Sequence, residues 1–482
     1  LNPRVSIISH PNYNSTTQLI DLFARLGFPL PTKRDVYIIP ILGDDGKIYN
    51  KEEEFTTNAK ILEVYLIDNY GTEIYQFVKN LIKYRETNTR INTFGEEFIK
   101  QFIQSNGKVY TIFRQTDAIN GRLQSGDSKS GFYNCQNIPR DKIYRECFGV
   151  EPGYSISTHD LAGAEVIIMA AKAQDFKLLE LANTDIHSHM AQAGWRNIFL
   201  FKAGLKEGIW TKAKEFWKLK DHPETEGRLI STDNSFVIQN YNLSQTYIVS
   251  KTINNDKRQA GKNVNFASIY GCSPKRAART ISVSVEEGAI YIGTIEREIP
   301  LTFKMVEKNV RFAIGKYNTW NYKWDIRPNG YLILNERTNS RVWFPNILQS
   351  MRENSAPGYS EYEDADGQAR NIPISGTQAD GIKEAMVEIH KTFEEQGLFP
   401  HCKILKQVHD EIVVKQPLNM DGKSNEWKAN PVYMKFTGEQ LGIVKLVSVP
   451  DFVNFTMSKV MNRYLKNVKM GVDTTVKLTW TK

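Results

Sequence analysis

Closely spaced cysteines are absent from this sequence. The four cysteines, Cys135, Cys147, Cys272 and Cys402, stand far apart in the chain. No CxxC pair and no Cys/His set with zinc-binding spacing occurs. The sequence therefore offers no pattern for a structural zinc site, and such cysteine usage is typical of a reducing compartment.

Long hydrophobic runs are absent as well. The longest apolar stretch, residues 164–171, is interrupted by Glu165 and is too short to span a bilayer. The first residues are polar and include a proline, unlike a signal peptide. We therefore expect a protein of the cytoplasm, bacterial or that of a host cell if the chain is viral, with no membrane anchor. The chain starts with Leu1 rather than methionine, as a fragment or a processed product would.

Glycine-rich phosphate-binding loops are the third absence, since neither GxxxxGK[ST] nor GxGxxG occurs. The net charge of +8 and the pI of about 9.0 nevertheless favour a polyanionic partner. Any phosphates would have to be held by side chains. The length of 482 residues, with 41% hydrophobic residues, predicts a folded chain of two or three domains.

The stretch KILKQVHDEIVVKQP, residues 403–417, contains two apolar runs around a short acidic core. This pattern predicts two strands joined by a tight turn at His409-Asp410-Glu411. Two adjacent carboxylates at such a turn are costly to bury unless they are paired or bind a metal. The alternative is a solvated hairpin tip that carries two surface acids.

A second acidic pair lies at a predicted strand-to-helix junction. Residues 153–160 alternate as a strand does, and a helix is predicted over residues 164–172. Asp160 then stands at the end of the strand and Glu165 in the first turn of the helix. A helix-capping role would account for Glu165 but not for Asp160.

The sequence KRQAGKNVNFASIYG, residues 257–271, predicts a helix with one distinctive stripe. Arg258, Lys262, Phe266 and Tyr270 recur at every fourth position and therefore share one face. Two cations followed by two aromatic rings suit a ligand that has phosphates at one end and a ring at the other, as a nucleoside triphosphate does. An ordinary amphipathic helix with a basic end is the alternative.

Other stretches complete the sequence-based picture. Residues 1–104 are predicted to be mostly helical, and residues 330–334 and 341–345 to form a hairpin. Residues 350–367 are polar and contain glycine and proline, so we expect an exposed loop there, followed by a helix over residues 382–396. The strings 115–123, with Arg122, and 136–139, with Gln136 and Asn137, suit loops that lie close to a nucleic-acid backbone.

Taken together and in order, these strings resemble those of the family A DNA polymerases. Asp160 with Glu165 is similar to motif A, the helix over residues 256–271 to motif B, and Gln407-Val-His-Asp-Glu411 to motif C. Residues 371–377, the two polar strings, residues 14–19 and Asp185-Ile-His187 also match elements of the family. The resemblance implies an α+β right-hand polymerase fold with an antiparallel-sheet palm, helical fingers and a helical thumb. It implies a thumb at 1–104, palm at 105–170 and 370–482, and fingers at 171–369.

The resemblance also implies a function, namely template-directed addition of deoxynucleotides to a primer by two-metal phosphoryl transfer. Two Mg²⁺ ions, with Mn²⁺ as a substitute, would be held by Asp160 and Asp410, with Glu411 as an accessory acid. The residues implied to hold the nucleotide are Arg258, Lys262, Phe266, Tyr270, Glu165 and His187, with Lys262 also catalytic. Those implied to contact primer-template DNA are Arg122, Gln136, Asn137, Gln407 and His409. The family further implies a monomer that works with replication accessory proteins.

Several family positions are changed in this chain. Leu161 replaces a tyrosine, Ile167 an arginine, Ala267 a glycine, and Ser375 the glutamine that commonly precedes Gly-Thr. These changes leave the metal-binding and triphosphate-binding candidates intact but put minor-groove contacts in question. Two alternatives stay open. A single-subunit RNA polymerase would normally have serine where Glu411 stands, and a non-catalytic DNA-binding subunit would have lost Asp160, Asp410 or Lys262.

Overall fold

The structure is a computed structural model. It describes residues 11–31, 40–42, 48–50, 55–69, 71–115, 117–139, 141–202, 217–218, 228–232, 235–238, 249–252, 254–318, 320–418, 434–437, 444–465 and 468–480. Thr116, which belongs to the predicted polar loop 115–123, lies outside the described residues.

Helices and antiparallel strands alternate along the described chain. The helices are α1 (Thr16–Arg25), α2 (Ala59–Asp68), α3 (Glu73–Phe94), α4 (Glu96–Phe102), α5 (Lys142–Arg145), α6 (Ala164–Ala173), α7 (Phe176–Ala182), α8 (Ile186–Lys202), α9 (Asn255–Ile269), α10 (Pro274–Ile281), α11 (Val285–Glu298), α12 (Pro300–Ile314), α13 (Pro345–Arg352), α14 (Tyr359–Glu395) and α15 (Val449–Leu465). The strands are β1 (Pro40–Leu42), β2 (Ile48–Asn50), β3 (Phe113–Arg114), β4 (Gln124–Ser125), β5 (Tyr154–Leu161), β6 (Trp217–Lys218), β7 (Arg228–Thr232), β8 (Ser235–Ile238), β9 (Lys316–Asn318), β10 (Lys323–Ile326), β11 (Tyr331–Ile333), β12 (Arg341–Trp343), β13 (Lys403–Val408), β14 (Glu411–Pro417), β15 (Met434–Thr437), β16 (Val444–Val447) and β17 (Val472–Lys477).

The chain divides into two compact units. One consists of residues 1–108 and 273–290, and the other of residues 109–272 and 291–482. The helices of the first unit begin with α1, where the Ser15 side chain caps the N-terminus by accepting a hydrogen bond from the Gln18 backbone N–H. Their apolar faces meet in one buried cluster of Leu19, Phe23, Leu62, Tyr65, Ile74, Val78 and Leu81. The helical character predicted for residues 1–104 is therefore found in the residues that the structure describes there.

The second unit is built on a four-stranded antiparallel sheet with the strand order β13-β14-β5-β17. The predicted hairpin at residues 403–417 forms β13 and β14, and the predicted strand at 153–160 forms β5 between β14 and β17. Asp160 is paired across the sheet with Glu411 on one side and with Asp473 on the other. Paired residues present their side chains on the same face, so these three acids form one row.

His159 anchors the strand that carries Asp160 to its neighbours. Its Nδ1 lies 2.7 Å from the side-chain oxygen of Asn454 on α15, and its Nε2 lies 2.8 Å from the hydroxyl of Ser157. A neutral ring satisfies both contacts, donating to Asn454 and accepting from Ser157. Burial lowers the pKa of His159 to about 4, although the hydrogen bond to Asn454 acts in the opposite direction.

This lowered pKa predicts an acid-sensitive sheet. His159 becomes protonated near pH 6.5 in the unfolded chain but only near pH 4 in the folded chain. Protonation between these values therefore favours the unfolded chain. The stability that His159 contributes is fully present above pH 6.5 and is lost progressively as the pH falls to about 4. The expected loss is on the order of 3 kcal/mol. Urea unfolding at pH 7 and pH 4.5 measures it. His159→Gln should start less stable and show a flatter pH dependence, whereas His390→Gln, at an exposed histidine, should retain the wild-type slope. Equal slopes in both variants would contradict this assignment.

The exposed loop predicted at residues 350–367 is wrong for most of its length, because only residues 353–358 lie between helices. Helix α13 occupies Pro345–Arg352, and α14 runs unbroken from Tyr359 to Glu395 with Pro373 inside it. Polar composition concealed a small buried stripe at helical spacing, Ala365, Ala369 and Ile372, which packs in a core cluster with α12 and the hairpin β11–β12. Tertiary burial therefore outweighs the local glycine and proline signals.

Candidate active site

The β13–β14 turn places Asp410 beside the end of β5. His409 and Asp410 form the two-residue turn, and His409 adopts a left-handed backbone with φ of 58°. The backbone carbonyl of Asp410 accepts a hydrogen bond from the Leu161 N–H at 3.4 Å. Because Leu161 directly follows Asp160, this contact places the backbones of the two predicted metal-binding aspartates close together at one end of the sheet.

Glu411 is held differently from these two aspartates. Its carboxylate is buried, accepts a short hydrogen bond from the Trp480 indole N–H, and lies 3.7 Å from the Arg145 guanidinium. Trp480 and Arg145 are themselves buried, and the Arg145 guanidinium lies 4.1 Å from the Trp480 ring centre. The accessory acid predicted from sequence is thus directed into the interior, in contact with residues that sequence reasoning missed.

The residues present at this end of the sheet fit a magnesium site that substrate phosphates complete. Asp160 is partly buried at a strand end, and Asp410 lies in a turn. Within the described residues, no group of three or more His, Cys, Asp or Glu side chains is arranged to hold a metal ion. Mg²⁺ is commonly bound through one or two carboxylates together with substrate phosphates, so two aspartates are a sufficient protein contribution.

Helix α9 carries the predicted stripe, and its first cation is already paired. The Arg258 guanidinium is buried and donates to both carboxylate oxygens of Asp185, at 2.9 and 2.7 Å, and to the Ser188 hydroxyl at 3.0 Å. This bidentate contact holds the pKa of Asp185 well below its usual range. Lys262, one turn further on, is exposed. Arg258 is therefore fixed in orientation, while Lys262 projects where an anion can reach it.

The aromatic part of the stripe lies against His187. The rings of His187 and Phe266 meet edge to face with centroids 5.2 Å apart. Burial, and then the positive charges of Lys262 and Arg258, lower the pKa of His187 to about 4. The imidazole is therefore neutral at pH 7. Its Nδ1 is buried without a hydrogen-bond partner among the described residues.

Tyr270 and Gly271 end the helix beside Glu165. Burial raises the pKa of the Tyr270 phenol, the nearby Glu165 carboxylate raises it further, and Arg122 opposes both. The buried Tyr270 hydroxyl has no hydrogen-bond partner among the described residues. At Gly271 the backbone has φ of 86°, and a side-chain Cβ would lie 2.9 Å from the Arg370 Nε. Glycine is therefore required at this position.

A polar pocket of about 230 Å³ gathers most of the predicted DNA-contacting residues. Its lining includes Asn120, Arg122, Gln136, Gln378, Gln407 and His409. The Gln136 amide donates to the Gln407 side-chain oxygen at 3.1 Å, and the Gln407 amide donates to the His409 carbonyl. Asn137, by contrast, is exposed at the end of a short 3-10 helix and lies outside this lining.

Gln378 is a pocket residue that sequence reasoning missed. It is buried, and its side-chain oxygen accepts a hydrogen bond from Arg122 Nη2 at 3.0 Å, while the same nitrogen lies 3.4 Å from Glu165. Ser375, where the family commonly has glutamine, lies three residues earlier, and positions i and i+3 of a helix are neighbours. A glutamine one turn after the expected place was the signal available in the sequence.

Comparison with known proteins shows the family of this chain. A family model described as DNA polymerase family A matches residues 7–198 and 242–430. DNA polymerase I of Caldicellulosiruptor bescii is 26% identical over 369 residues, which are 75% of this chain and 33% of that protein. Thermostable DNA polymerase I of Thermus caldophilus is 24% identical over 418 residues, which are 85% of this chain and 38% of that protein. The chain thus spans about a third of the length of one relative and 38% of the other.

A solved structure shows the same fold. The POL domain of Pol1 from M. smegmatis, in complex with DNA primer-template and dNTP, has a TM-score of 0.61 and 20% sequence identity over 97% of this chain and 61% of that chain. The predicted α+β right-hand polymerase fold is confirmed. Because the family model matches more than half of its residues, the chain belongs to DNA polymerase family A. No helix among the described residues is long and apolar enough to cross a membrane.

Proposed function

We propose that this chain is a template-directed DNA polymerase that adds deoxynucleotides to a primer 3′ end. One observation carries the proposal: in a family A chain, the Asp410 carbonyl is hydrogen-bonded to the residue that follows Asp160. The contact places the turn that carries Asp410 beside the strand end that carries Asp160, and phosphoryl transfer by two metal ions needs carboxylates from separate elements at one point. We further propose a thumb at 1–104, palm segments at 105–170 and 370–482, and fingers at 171–369.

Asp160 and Asp410 would hold two Mg²⁺ ions, which neutralise the attacking oxygen, the leaving oxygen and the scissile phosphate when bound. The chain's own contribution is positional. The 3.4 Å backbone contact between Leu161 and Asp410 holds the β13–β14 turn beside the end of β5. Glu411 contacts Trp480 and Arg145, and these contacts would hold the start of β14 in place. A backbone held in place before the substrate arrives would reduce the reorganisation needed at the moment of reaction.

Helix α9 would bind the incoming nucleotide. Lys262 is the exposed cation of this helix and would hold the triphosphate. Arg258, whose guanidinium is hydrogen-bonded to Asp185, would orient the triphosphate. Phe266 and Tyr270 would pack on sugar and base, and neutral His187, which meets the Phe266 ring edge to face, would support Phe266 in that position. The spacing of cations and rings along one helix face suits the length of a nucleoside triphosphate.

The polar pocket would receive the primer-template. Side-chain amides and Arg122 donate hydrogen bonds, and the minor-groove edge of each base pair presents acceptors, so the two surfaces are complementary. Gln378 would take part in these contacts and hold Arg122 in place, which compensates for Ser375.

Primer elongation tests the proposed function. Purified chain, a labelled primer on a longer template and the four deoxynucleotides should give products that lengthen to the template end with Mg²⁺ and not with a chelator. The same assay with ribonucleotides in place of the deoxynucleotides tests the RNA polymerase alternative. Absence of elongation by a folded chain that binds primer-template would overturn the proposal in favour of a DNA-binding role.

Glu165 is predicted to exclude ribonucleotides. Its carboxylate lies in the first turn of α6, close enough to raise the pKa of Tyr270 and 3.4 Å from Arg122, and it would crowd the ribose 2′ position. Glu165→Ala should raise the ratio of ribo- to deoxynucleotide incorporation efficiency by about tenfold or more, which corresponds to about 1.4 kcal/mol. Glu165→Gln preserves the volume and should preserve the ratio. An unchanged ratio in Glu165→Ala would contradict the steric role.

A further inference from the structure

Two hairpins of the second unit expose an unusual set of aromatic and basic side chains. Residues 316–343 contain five Lys or Arg, two Asp or Glu, and six aromatic residues. Trp320, in the turn between β9 and β10, is 94% exposed, and its neighbour Tyr322 is 63% exposed. A lone exposed aromatic residue would be ordinary, but a basic and aromatic set of this size indicates a binding surface.

The second hairpin has one face buried in the core and one face exposed to solvent. Leu332 and Val342 are buried in the core cluster. On the opposite face the cross-strand pair Tyr331 and Trp343 has ring centroids 5.2 Å apart, and Arg341 stacks on Tyr331 at 5.1 Å. The outward face therefore presents rings and a guanidinium held in fixed positions.

The turn of the first hairpin is also held by its own side chains. Asn318 accepts a hydrogen bond from the Trp320 N–H at 3.0 Å, and Asn321 accepts one from the Lys323 N–H at 3.1 Å. Trp324 packs against the same core cluster as the second hairpin. Trp320 is thus presented on a supported turn rather than on an unsupported loop, and this lowers the entropy lost when a ligand stacks on it.

The second hairpin is hydrogen-bonded to two helices of the candidate active site. The Leu334 carbonyl accepts hydrogen bonds from Lys172 of α6 at 2.7 Å and from Thr377 of α14 at 2.9 Å. Asn335 donates to Asp380 of α14 at 2.8 Å. These are the helices that carry Glu165 and Gln378, so the rings of the second hairpin have a fixed relation to the pocket.

We propose that Trp320, Tyr322, Lys323, Tyr331, Arg341 and Trp343, the hairpin surface, bind single-stranded DNA by stacking bases on the rings and pairing phosphates with the cations. Unpaired bases stack on aromatic side chains whatever their sequence, and basic groups between the rings follow the backbone. The strand bound is the unpaired template extension, an identification that rests on the proposed polymerase function.

Equilibrium binding without nucleotides tests this surface directly. Two labelled primer-templates are compared, one with an unpaired 5′ template extension of about 12 nucleotides, within the usual site size, and one with a single unpaired nucleotide. Wild-type protein should prefer the long extension by about tenfold, and Trp320→Ala should remove most of that preference. Trp320→Phe, which retains a ring, should retain it. Phe176→Ala, at a 78% exposed aromatic residue at the start of α7, is the matched control and should behave as wild type.

The outcomes separate this inference from the proposed function. Loss of the preference in Trp320→Ala with unchanged binding of the short-extension DNA supports the surface, whether or not the chain elongates primers. An unchanged preference in Trp320→Ala, or equal weakening on both substrates, overturns it. Replacement of the extension by duplex DNA should abolish the wild-type preference, and a preference that persists on duplex would also overturn it.

Discussion

Asp410→Asn is expected to lower the rate of nucleotide addition by a factor on the order of 10³ while leaving primer-template affinity nearly unchanged. Asparagine preserves the size of the side chain and the Leu161 contact, which uses the Asp410 backbone carbonyl. What is lost is one of the two carboxylate charges available to divalent cations. Affinity for DNA is expected to persist because it depends on phosphate and groove contacts made by other residues.

The sheet supplies a matched control for this prediction. Asp473 is paired with Asp160 on the opposite side from Glu411 and is exposed, so Asp473→Asn removes a negative charge from the same row of the sheet. Single-turnover addition to a labelled primer at saturating DNA measures all variants. Near-normal rates for Asp410→Asn, or equal losses for Asp473→Asn, would show that general electrostatics rather than specific ligation is at work.

Lys262→Met is expected to give the second large effect, a fall of about 10² in the efficiency of nucleotide addition. Lys262 is the exposed cation of α9, whereas Arg258 is already committed to Asp185. Without a glycine-rich phosphate loop, the chain has few other means of neutralising a triphosphate. The loss should therefore appear in the rate as well as in nucleotide affinity, because charge accumulates on the phosphates in the transition state.

Lys257→Met is the matched control on the same helix. Its ammonium lies 5.3 Å from the Trp195 ring centre, so removing it changes the charge of α9 without touching the predicted nucleotide-binding stripe. Nucleotide concentration dependence measured for both variants separates rate from affinity. A small effect of Lys262→Met, or a loss in Lys257→Met of the same size, would mean that the helix attracts anions only through its overall charge.

Local patterns in the sequence were sufficient where chemistry and secondary structure coincide. The apolar runs around His409-Asp410-Glu411 predicted the β13–β14 hairpin, and the alternation before Asp160 predicted β5 followed by α6. The four-residue repeat predicted α9 to within a few residues of its bounds. Period and turn signals are local, so they can be read without knowledge of tertiary contacts.

Tertiary contacts decided what the sequence could not show. Gln378 belongs to the pocket because it meets Arg122, which is 256 residues away in the chain. Trp480 holds Glu411 across 69 residues. Helix α14 continues through Pro373 because the residues on its buried stripe pack against the rest of the unit, and no local signal reports such packing. The roles of the site residues stay predictions until the variants are measured.

Incorporation of a single nucleotide opposite each of the four template bases tests the central claim most directly. Purified chain, Mg²⁺ and one deoxynucleotide at a time should extend the primer by one residue only when the nucleotide is complementary to the template base. Asp160→Asn should bind the same primer-template and extend it in no case, and Asp473→Asn should extend it as wild type does. Extension that ignores the template base, or that persists in Asp160→Asn, would contradict a polymerase centre at the end of the sheet where the backbones of Asp160 and Asp410 lie close together.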